Sequence, residues 1–309
     1  MRGVMVLDRV TWVAPLGMRF VDVASGTPVG DGLEVTVHPV SNPARRVQAF
    51  PNRSGIYGVR NLPGLHDLES GRGDAEYWRD LPLTRPPFVV EVQDLLQRFQ
   101  PFTFTAHPPE RGLVRSESVA LGSPVAGESS IPLFSAPNRP VPAGMAVVRA
   151  DLEDSPGSPA QRRPAAWAVL EVVVRSTRPG FPDTRARGVA DLRGRVAVVF
   201  PYPAPAAEPI GSLLDSPAGA TRVPLAQRQW EVALNATYRR FDEGQAVPTL
   251  DDELAPLPTT AHLFEDESHV RPLLPRQLAF GQELIVKSDG DPGSPPPSVV
   301  YITPVGSPL

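Results

Sequence analysis

Residues 33–39 read Leu-Glu-Val-Thr-Val-His-Pro, and their alternation decides the class of fold. Apolar residues hold every second position from Leu33 to Val37, and polar residues hold the positions between them. An antiparallel strand with one buried face and one solvated face has this pattern. Similar runs lie between Pro-, Gly- and Ser-rich stretches at 18–23, 55–60, 88–93, 99–106, 131–134, 145–152, 166–175, 195–200 and 230–238.

The composition supports the same class. The 309 residues include 39 Pro and 25 Gly, and proline disrupts both helix interiors and central strands. A helical bundle and a doubly wound α/β enzyme are therefore excluded. With 41% apolar residues and a net charge of −4, the chain has enough apolar side chains to form a core. We predict a loop-rich, all-β protein.

Charge and cysteine content exclude several kinds of partner and site. The 30 basic residues are all Arg except Lys287. They are scattered among the 34 acidic residues and form no basic stripe. We therefore predict no nucleic-acid partner. Because the chain has no Cys, it has no disulfide, zinc–thiolate cluster or catalytic thiol.

The N-terminal stretch does not resemble a signal peptide. Asp8 and Arg9 interrupt its apolar residues, and the sequence nowhere approaches the roughly 18 uninterrupted apolar residues of a spanning helix. We expect cytoplasmic synthesis and assembly without a signal peptide, no membrane span, and release as part of a particle.

No motif in the sequence predicts a catalytic residue, a cofactor or a metal. The best metal candidates are His262 and His269, which flank the acidic residues 265–267, but a solvated acidic loop is the favoured interpretation. For the acidic groups at 251–253 and 289–291, Pro and Gly neighbours favour turns over a cation site.

Two aromatic residues are the candidates for binding a partner. Tyr77 and Trp78 lie in the long polar loop 65–87, beside an Arg-Gly-Asp tripeptide at 72–74 that we attribute to chance. They could stack on a sugar or enter a pocket of a protein partner, or they could anchor their own loop. Three further tryptophans in strand-like runs are predicted core residues: Trp12, Trp167 and Trp230.

A weak internal repeat links the two halves of the chain. Asn52-x-x-Gly55 and Asp191-x-x-Gly194 each precede a strand-like run that ends near a proline. An Asn or Asp side chain closes such a turn, and Gly supplies the positive φ. The repeat indicates either a duplication or the coincidence of two common turns.

These stretches resemble carboxypeptidase-regulatory-like, or transthyretin-like, β-sandwich domains. Residues 23–37 are similar to that family's opening Thr/Ser-Gly-x-Pro-Val segment and first strand, and residues 54–64 to its central Gly-x-Tyr and Leu-Pro-x-Gly elements. Residues 88–92 suit the strand that follows, and residues 188–196 resemble the central turn again. The resemblance covers about half of the chain and implies spacer, adaptor or assembly modules without catalysis.

A broader resemblance gives a more specific expectation. The Arg-rich, Pro-rich and Cys-free chain, with its stretch at 189–203, is similar to accessory proteins of phage-tail-like contractile injection systems. This resemblance implies a structural component that contacts other protein subunits.

The resulting prediction is a tandem pair of immunoglobulin-like or transthyretin-like sandwiches. An N-terminal arm covers 1–14, the first module 15–135 with long loops at 65–87 and 111–130, the second module 140–245, and a Pro-rich extension with short strands 246–309. The expected function is a non-enzymatic structural or adaptor part of a large multiprotein assembly. The alternative is a carbohydrate- or surface-binding β-sandwich module that uses Tyr77 and Trp78.

Overall fold

The computed structural model describes residues 14–69, 86–110, 112–114, 129–154, 162–176, 182–203, 224–240, 247–250, 260–288 and 299–304. Within these residues the chain consists of β-strands, turns, one four-residue helix and one 3-10 turn. The all-β prediction is confirmed. An immunoglobulin-like or transthyretin-like topology stays a prediction, as do the module boundaries.

The first half of the chain forms two sheets. One has the order β2–β1–β6–β5, with β9 also paired to β1 in parallel, and the second has the order β4–β3–β7–β8. The elements are β1 (Leu16–Asp22), β2 (Pro28–Val29), β3 (Leu33–Pro39), β4 (Val47–Gln48), β5 (Phe50–Pro51), β6 (Ile56–Val59), α1 (His66–Glu69), β7 (Phe88–Asp94), β8 (Phe102–Ala106) and β9 (Ile131–Leu133).

These two sheets share one core. Side chains at alternate positions of β1 and β6 pack with alternate side chains of β3, β7 and β8, as the period of two along a strand requires. Phe20 and Tyr57 meet edge to face with ring centroids 5.3 Å apart. Strand β3 begins and ends at the residues that the alternation of Leu33–Pro39 predicts.

The second half forms a single ten-stranded sheet. Its main order is β11–β10–β19–β16–β15–β12–β13, with β14 and β18 also paired to β10 and β17 paired to β15. The strands are β10 (Met145–Asp154), β11 (Arg163–Pro164), β12 (Val169–Val174), β13 (Thr184–Val189), β14 (Arg195–Pro201), β15 (Gln229–Thr237), β16 (Thr260–Phe264), β17 (Arg276–Ala279), β18 (Leu284–Ile285) and β19 (Val299–Pro304), with the 3-10 turn at Leu225–Gln227.

This sheet turns back on itself around a second core. A Cβ atom on Gly188 of β13 would lie 2.8 Å from the carbonyl oxygen of Ala197 on β14, so strands from the two ends of the sheet approach each other closely. The buried side chains of one face belong to a single cluster that includes Val148, Leu170 and Ile302. Strands β16–β19, from the region predicted as a C-terminal extension, pair within this sheet.

The two halves are joined by buried contacts. Ala24 packs with Val147 and Val199, and the first core also contains residues from the second half, among them Trp167. The guanidinium of Arg139 donates to both carboxylate oxygens of Asp22 at 2.9 and 2.7 Å, and both side chains are buried.

Among the described residues, no helix is long and apolar enough to cross a membrane.

Candidate functional site: the Asx turns

Within the described residues, four turns that begin at an Asn or Asp side chain share one hydrogen-bond pattern, and we call them the Asx turns. They begin at Asn52, Asp94, Asp191 and Asp266. In each, the backbone N–H of the third following residue donates to the carbonyl oxygen of the Asx residue, at 2.9 to 3.2 Å. That third residue has a positive φ, between 56° and 74°, in all four turns.

The repeat found in the sequence is confirmed as shared turn chemistry. The Oδ1 atom of Asn52 accepts hydrogen bonds from the backbone N–H groups two and four residues later, at 2.9 and 3.0 Å. The Oδ1 atom of Asp191 accepts the same pair of bonds at 2.8 and 2.9 Å. Gly55 and Gly194 supply the positive φ, at 73° and 74°. Duplication of a whole module stays a prediction.

Sequence reasoning missed the other two turns because a different residue takes the glycine position. Gln97 follows Asp94 by three residues, and His269 follows Asp266 by three, each with φ of 56°. The signal that could have found the first turn is an Asp at the end of a strand-like run, since Asp favours such turns. Without Gly at the third position, this signal is common in any sequence.

Exposed apolar side chains lie in or beside every Asx turn. Leu95 and Leu96 in the Asp94 turn are 62% and 57% exposed, and Leu192 in the Asp191 turn is 49% exposed. Phe50 lies two residues before Asn52, and Val270 follows His269 directly; they are 65% and 74% exposed. A single exposed apolar side chain is ordinary, but four of these five lie in turns whose backbone is held by side-chain hydrogen bonds, and Phe50 lies on β5 beside such a turn.

The Asp94 turn is held by an arginine side chain as well as by its own backbone hydrogen bonds. Arg98 donates through Nε and Nη2 to the two oxygens of the buried Asp94 carboxylate, both at 3.1 Å, and through Nη2 to the carbonyl oxygen of Asp31 at 2.8 Å. These hydrogen bonds with Asp94 raise the pKa of the Arg98 guanidinium. The turn also packs on Gly32, where a Cβ atom would lie 2.8 Å from the Leu96 side chain.

The two histidines that are the best metal candidates of the sequence, His262 and His269, have different surroundings in the structure. His262 is exposed on β16, whereas the Nε2 atom of His269 lies 3.2 Å from the Thr303 hydroxyl and its ring packs on Phe264 with centroids 4.8 Å apart. Burial lowers the pKa of His269, and the nearby carboxylates of Asp266 and Asp154 partly oppose this shift. No group of three metal-ligating side chains occurs within the described part of the chain.

The interpretation of residues 265–267 as a solvated acidic loop is wrong for Glu265. Glu265 is buried and accepts hydrogen bonds from the backbone of Leu274 at 3.2 Å and from Arg276 at 3.0 Å. Asp266 closes a turn, and Glu267 pairs with Arg162. The three carboxylates hold the β16–β17 connection in place.

The remaining sequence candidates divide between the core and residues that the structure does not describe. Trp167 and Trp230 are buried core residues, as predicted. Tyr77 and Trp78 lie outside the described residues, as do Trp12, the Arg-Gly-Asp tripeptide 72–74 and the acidic groups at 251–253 and 289–291.

Comparison with known proteins gives no relative. No protein-family model matches the chain, and neither a curated protein nor a solved structure matches it. Only the residues and geometry described above therefore indicate what the protein does.

Proposed function

We propose that the chain is a non-enzymatic structural or adaptor component of a large multiprotein assembly. The observation that carries the proposal is the set of exposed apolar side chains on the Asx turns. Binding costs less conformational entropy when the contacting segments are already fixed in the free protein. Large apolar side chains on fixed turns are therefore suited to insertion into pockets of neighbouring subunits.

The Asp94 turn is the best candidate for such a contact. Leu95 and Leu96 are adjacent, both are mostly exposed, and the hydrogen bonds of Arg98 fix the backbone that carries them. Burying a Leu side chain contributes about 1.5 to 3 kcal/mol. Two such side chains provide a large share of the energy of a specific contact at little cost in ordering.

The more specific part of the proposal is a phage-tail-like contractile injection particle. Its support is the sequence resemblance of residues 189–203, together with the Cys-free, Arg-rich and Pro-rich composition. The Asx turn at Asp191 lies inside that stretch and carries the exposed Leu192. The partners would be the other protein subunits of the particle.

Purification of the tagged chain from its own host, under native conditions, tests this function. We expect the chain to sediment with a large particle that electron microscopy shows to have a contractile-tail shape. The variant Leu95→Gln/Leu96→Gln should keep the melting temperature within about 2 °C, because both side chains are exposed, and should lose at least ten-fold in particle-bound protein.

Val40→Gln is the matched control, since Val40 is about half exposed and lies outside the Asx turns. It should remain bound to the particle at the level of the unmodified chain. Sedimentation of the unmodified chain as a free monomer in its host, with no particle containing it, would contradict the proposed function.

A further inference from the structure

The outer edge of β8 is occupied by a short segment from the second half of the chain, residues 247–250. The N–H of Thr103 donates to the carbonyl oxygen of Pro248 at 2.8 Å, and the N–H of Leu250 donates to the carbonyl oxygen of Thr103 at 2.8 Å. The hydroxyls of Thr103 and Thr249 lie 3.3 Å apart. The segment therefore adds a parallel strand-like pairing to the sheet β4–β3–β7–β8.

The segment also completes the core of the first half. Leu250 is 1% exposed and belongs to the cluster formed by the two N-terminal sheets. Main-chain pairing supplies a contact that any extended segment could make, and the buried Leu side chain supplies the specificity.

The connection that carries the segment begins and ends at one place in the second sheet. Thr237, at the end of β15, pairs directly with Thr260, at the start of β16. Segment 247–250 could therefore leave β8 without breaking any strand pair of the ten-stranded sheet.

The connection is long enough to reach a neighbouring molecule. Asp154 holds Arg240 at 2.8 Å, so the free length before the segment is the eight residue steps from Arg240 to Pro248, and the length after it is the ten steps from Leu250 to Thr260. At no more than about 3.3 to 3.6 Å per residue, the first side can span up to roughly 26 to 29 Å and the second up to roughly 33 to 36 Å, close to the diameter of a small domain.

We propose that segment 247–250 exchanges between copies of this chain, so that the segment of one copy pairs with β8 of a second copy. Each copy carries both the segment and the edge that receives it, and exchange preserves every contact described above. Exchange of an identical element is a low-cost route to self-association, closed or open-ended. This inference rests on the proposed assembly function, because it names one contact by which copies would associate.

The absence of cysteine from the chain allows a direct cross-linking test. Thr103→Cys and Thr249→Cys are placed in separate copies that carry different tags, and the two copies are expressed together and then oxidised. Their disulfide can form only where the segment of one copy occupies β8 of the other. We expect a cross-linked product that contains both tags, at a yield at least five-fold above the control pair.

The control pair replaces Thr103→Cys with Thr27→Cys, at an exposed position in the β1–β2 turn. The double variant Thr103→Cys/Thr249→Cys in one chain shows that the two positions can be cross-linked. If this double variant forms its disulfide only within the chain, and the co-expressed single variants give no more product than the control pair, the exchange is excluded.

Sedimentation of the unmodified chain keeps the inference testable if the cysteine variants fold poorly. We expect dimers or larger species as concentration rises, with a shift towards monomer in Leu250→Ala. A monomer at every concentration overturns the exchange. If the chain is recovered in its particle but shows no exchange, the proposed function stands and the exchange is wrong. If the chain exchanges its segment but belongs to no particle, the proposed function is wrong and the exchange stands.

Discussion

Gln97 holds a backbone conformation that its own side chain disfavours. It has the positive φ that glycine supplies in the Asn52 and Asp191 turns, and its side chain is exposed. A non-glycine residue in the left-handed region costs about 1 to 2 kcal/mol of stability. Glycine removes this cost, but part of the benefit is lost because glycine gives up more backbone entropy on folding. Gln97→Gly should therefore raise the free energy of unfolding by about 0.5 to 1 kcal/mol, as measured by urea denaturation.

His269→Gly is the control for this effect, because the same φ occurs with a side chain that makes contacts. His269 contacts Thr303 and packs on Phe264, so glycine there would lose these contacts while relieving the same strain. We expect no stabilisation in His269→Gly. Equal stabilisation of both variants would mean that the contacts of His269 contribute nothing.

Single residues also show where sequence reasoning stops. The Asn52 and Asp191 turns could be predicted because Gly is visible at the third position. The Asp94 and Asp266 turns could not, because Gln97 and His269 are held in the same conformation by surrounding hydrogen bonds. For this reason, only two of the four turns that carry or adjoin exposed apolar side chains could be predicted from the sequence.

At the scale of elements, the strands with clear alternation were predictable and the short polar ones were not. The run Leu33–Pro39 gives its strand boundaries directly, and the run predicted at 230–238 is the strand Gln229–Thr237. Strands β13, β16 and β17 were missed because Arg, Thr, His and Gln dominate their exposed faces. Strand β16 pairs with β19 and β17 with β15, and both pairings join stretches that are distant along the chain.

The two glycine-containing Asx turns should respond differently to the same substitution. Gly55 and Gly194 have nearly the same φ, but a Cβ atom on Gly194 would lie 2.2 Å from the carbonyl oxygen of Leu152. On Gly55 the nearest atom would be 3.4 Å away. Gly55→Ala should cost about 1 to 2 kcal/mol for the left-handed backbone alone.

Gly194→Ala should cost clearly more, because the backbone of β10 would have to move as well. Denaturant unfolding of the two purified variants gives the comparison, and soluble yield gives it if Gly194→Ala fails to accumulate. If Gly194→Ala lowers the free energy of unfolding no more than Gly55→Ala does, the backbone of β10 at Leu152 can move at little cost and the prediction is wrong.

At the scale of the whole molecule, the buried pair of Asp22 and Arg139 lies where the two halves meet. Arg139 also packs on the ring of Phe99 at 4.9 Å, and its carbonyl oxygen accepts a hydrogen bond from Arg149 on β10 at 3.0 Å. Burial alone would raise the pKa of Asp22. The hydrogen bonds and charge of Arg139, with the backbone N–H of Ala24, outweigh burial and lower this pKa below its ordinary value of 3.8.

This lowered pKa fixes the direction of a pH effect. The stabilisation by Asp22 is fully present above the pKa of the unfolded chain, about 3.9, and is lost as pH falls through the lower pKa of the folded protein. Asp22→Asn should cost about 3 kcal/mol at pH 7, because it leaves the Arg139 charge buried without its partner. It should also weaken the fall in the free energy of unfolding between pH 4 and 2.

Urea denaturation at several pH values measures both effects. Asp31→Asn is the matched control, since the Asp31 carboxylate is mostly exposed and lies 3.4 Å from Arg98. It should cost less than about 1 kcal/mol. Parallel pH profiles for Asp22→Asn and the unmodified chain would refute the assignment of this acid sensitivity to Asp22.

The place of β19 in the second sheet has a consequence for how the protein is made. Strand β10 ends at Asp154, yet β19, the parallel neighbour of its C-terminal half, begins at Val299. A ribosome adding roughly 5 to 20 residues per second needs on the order of 10 s to synthesise the intervening stretch. Throughout that interval the C-terminal half of β10 lacks its parallel neighbour, and an unpaired strand edge is a template for pairing with other chains.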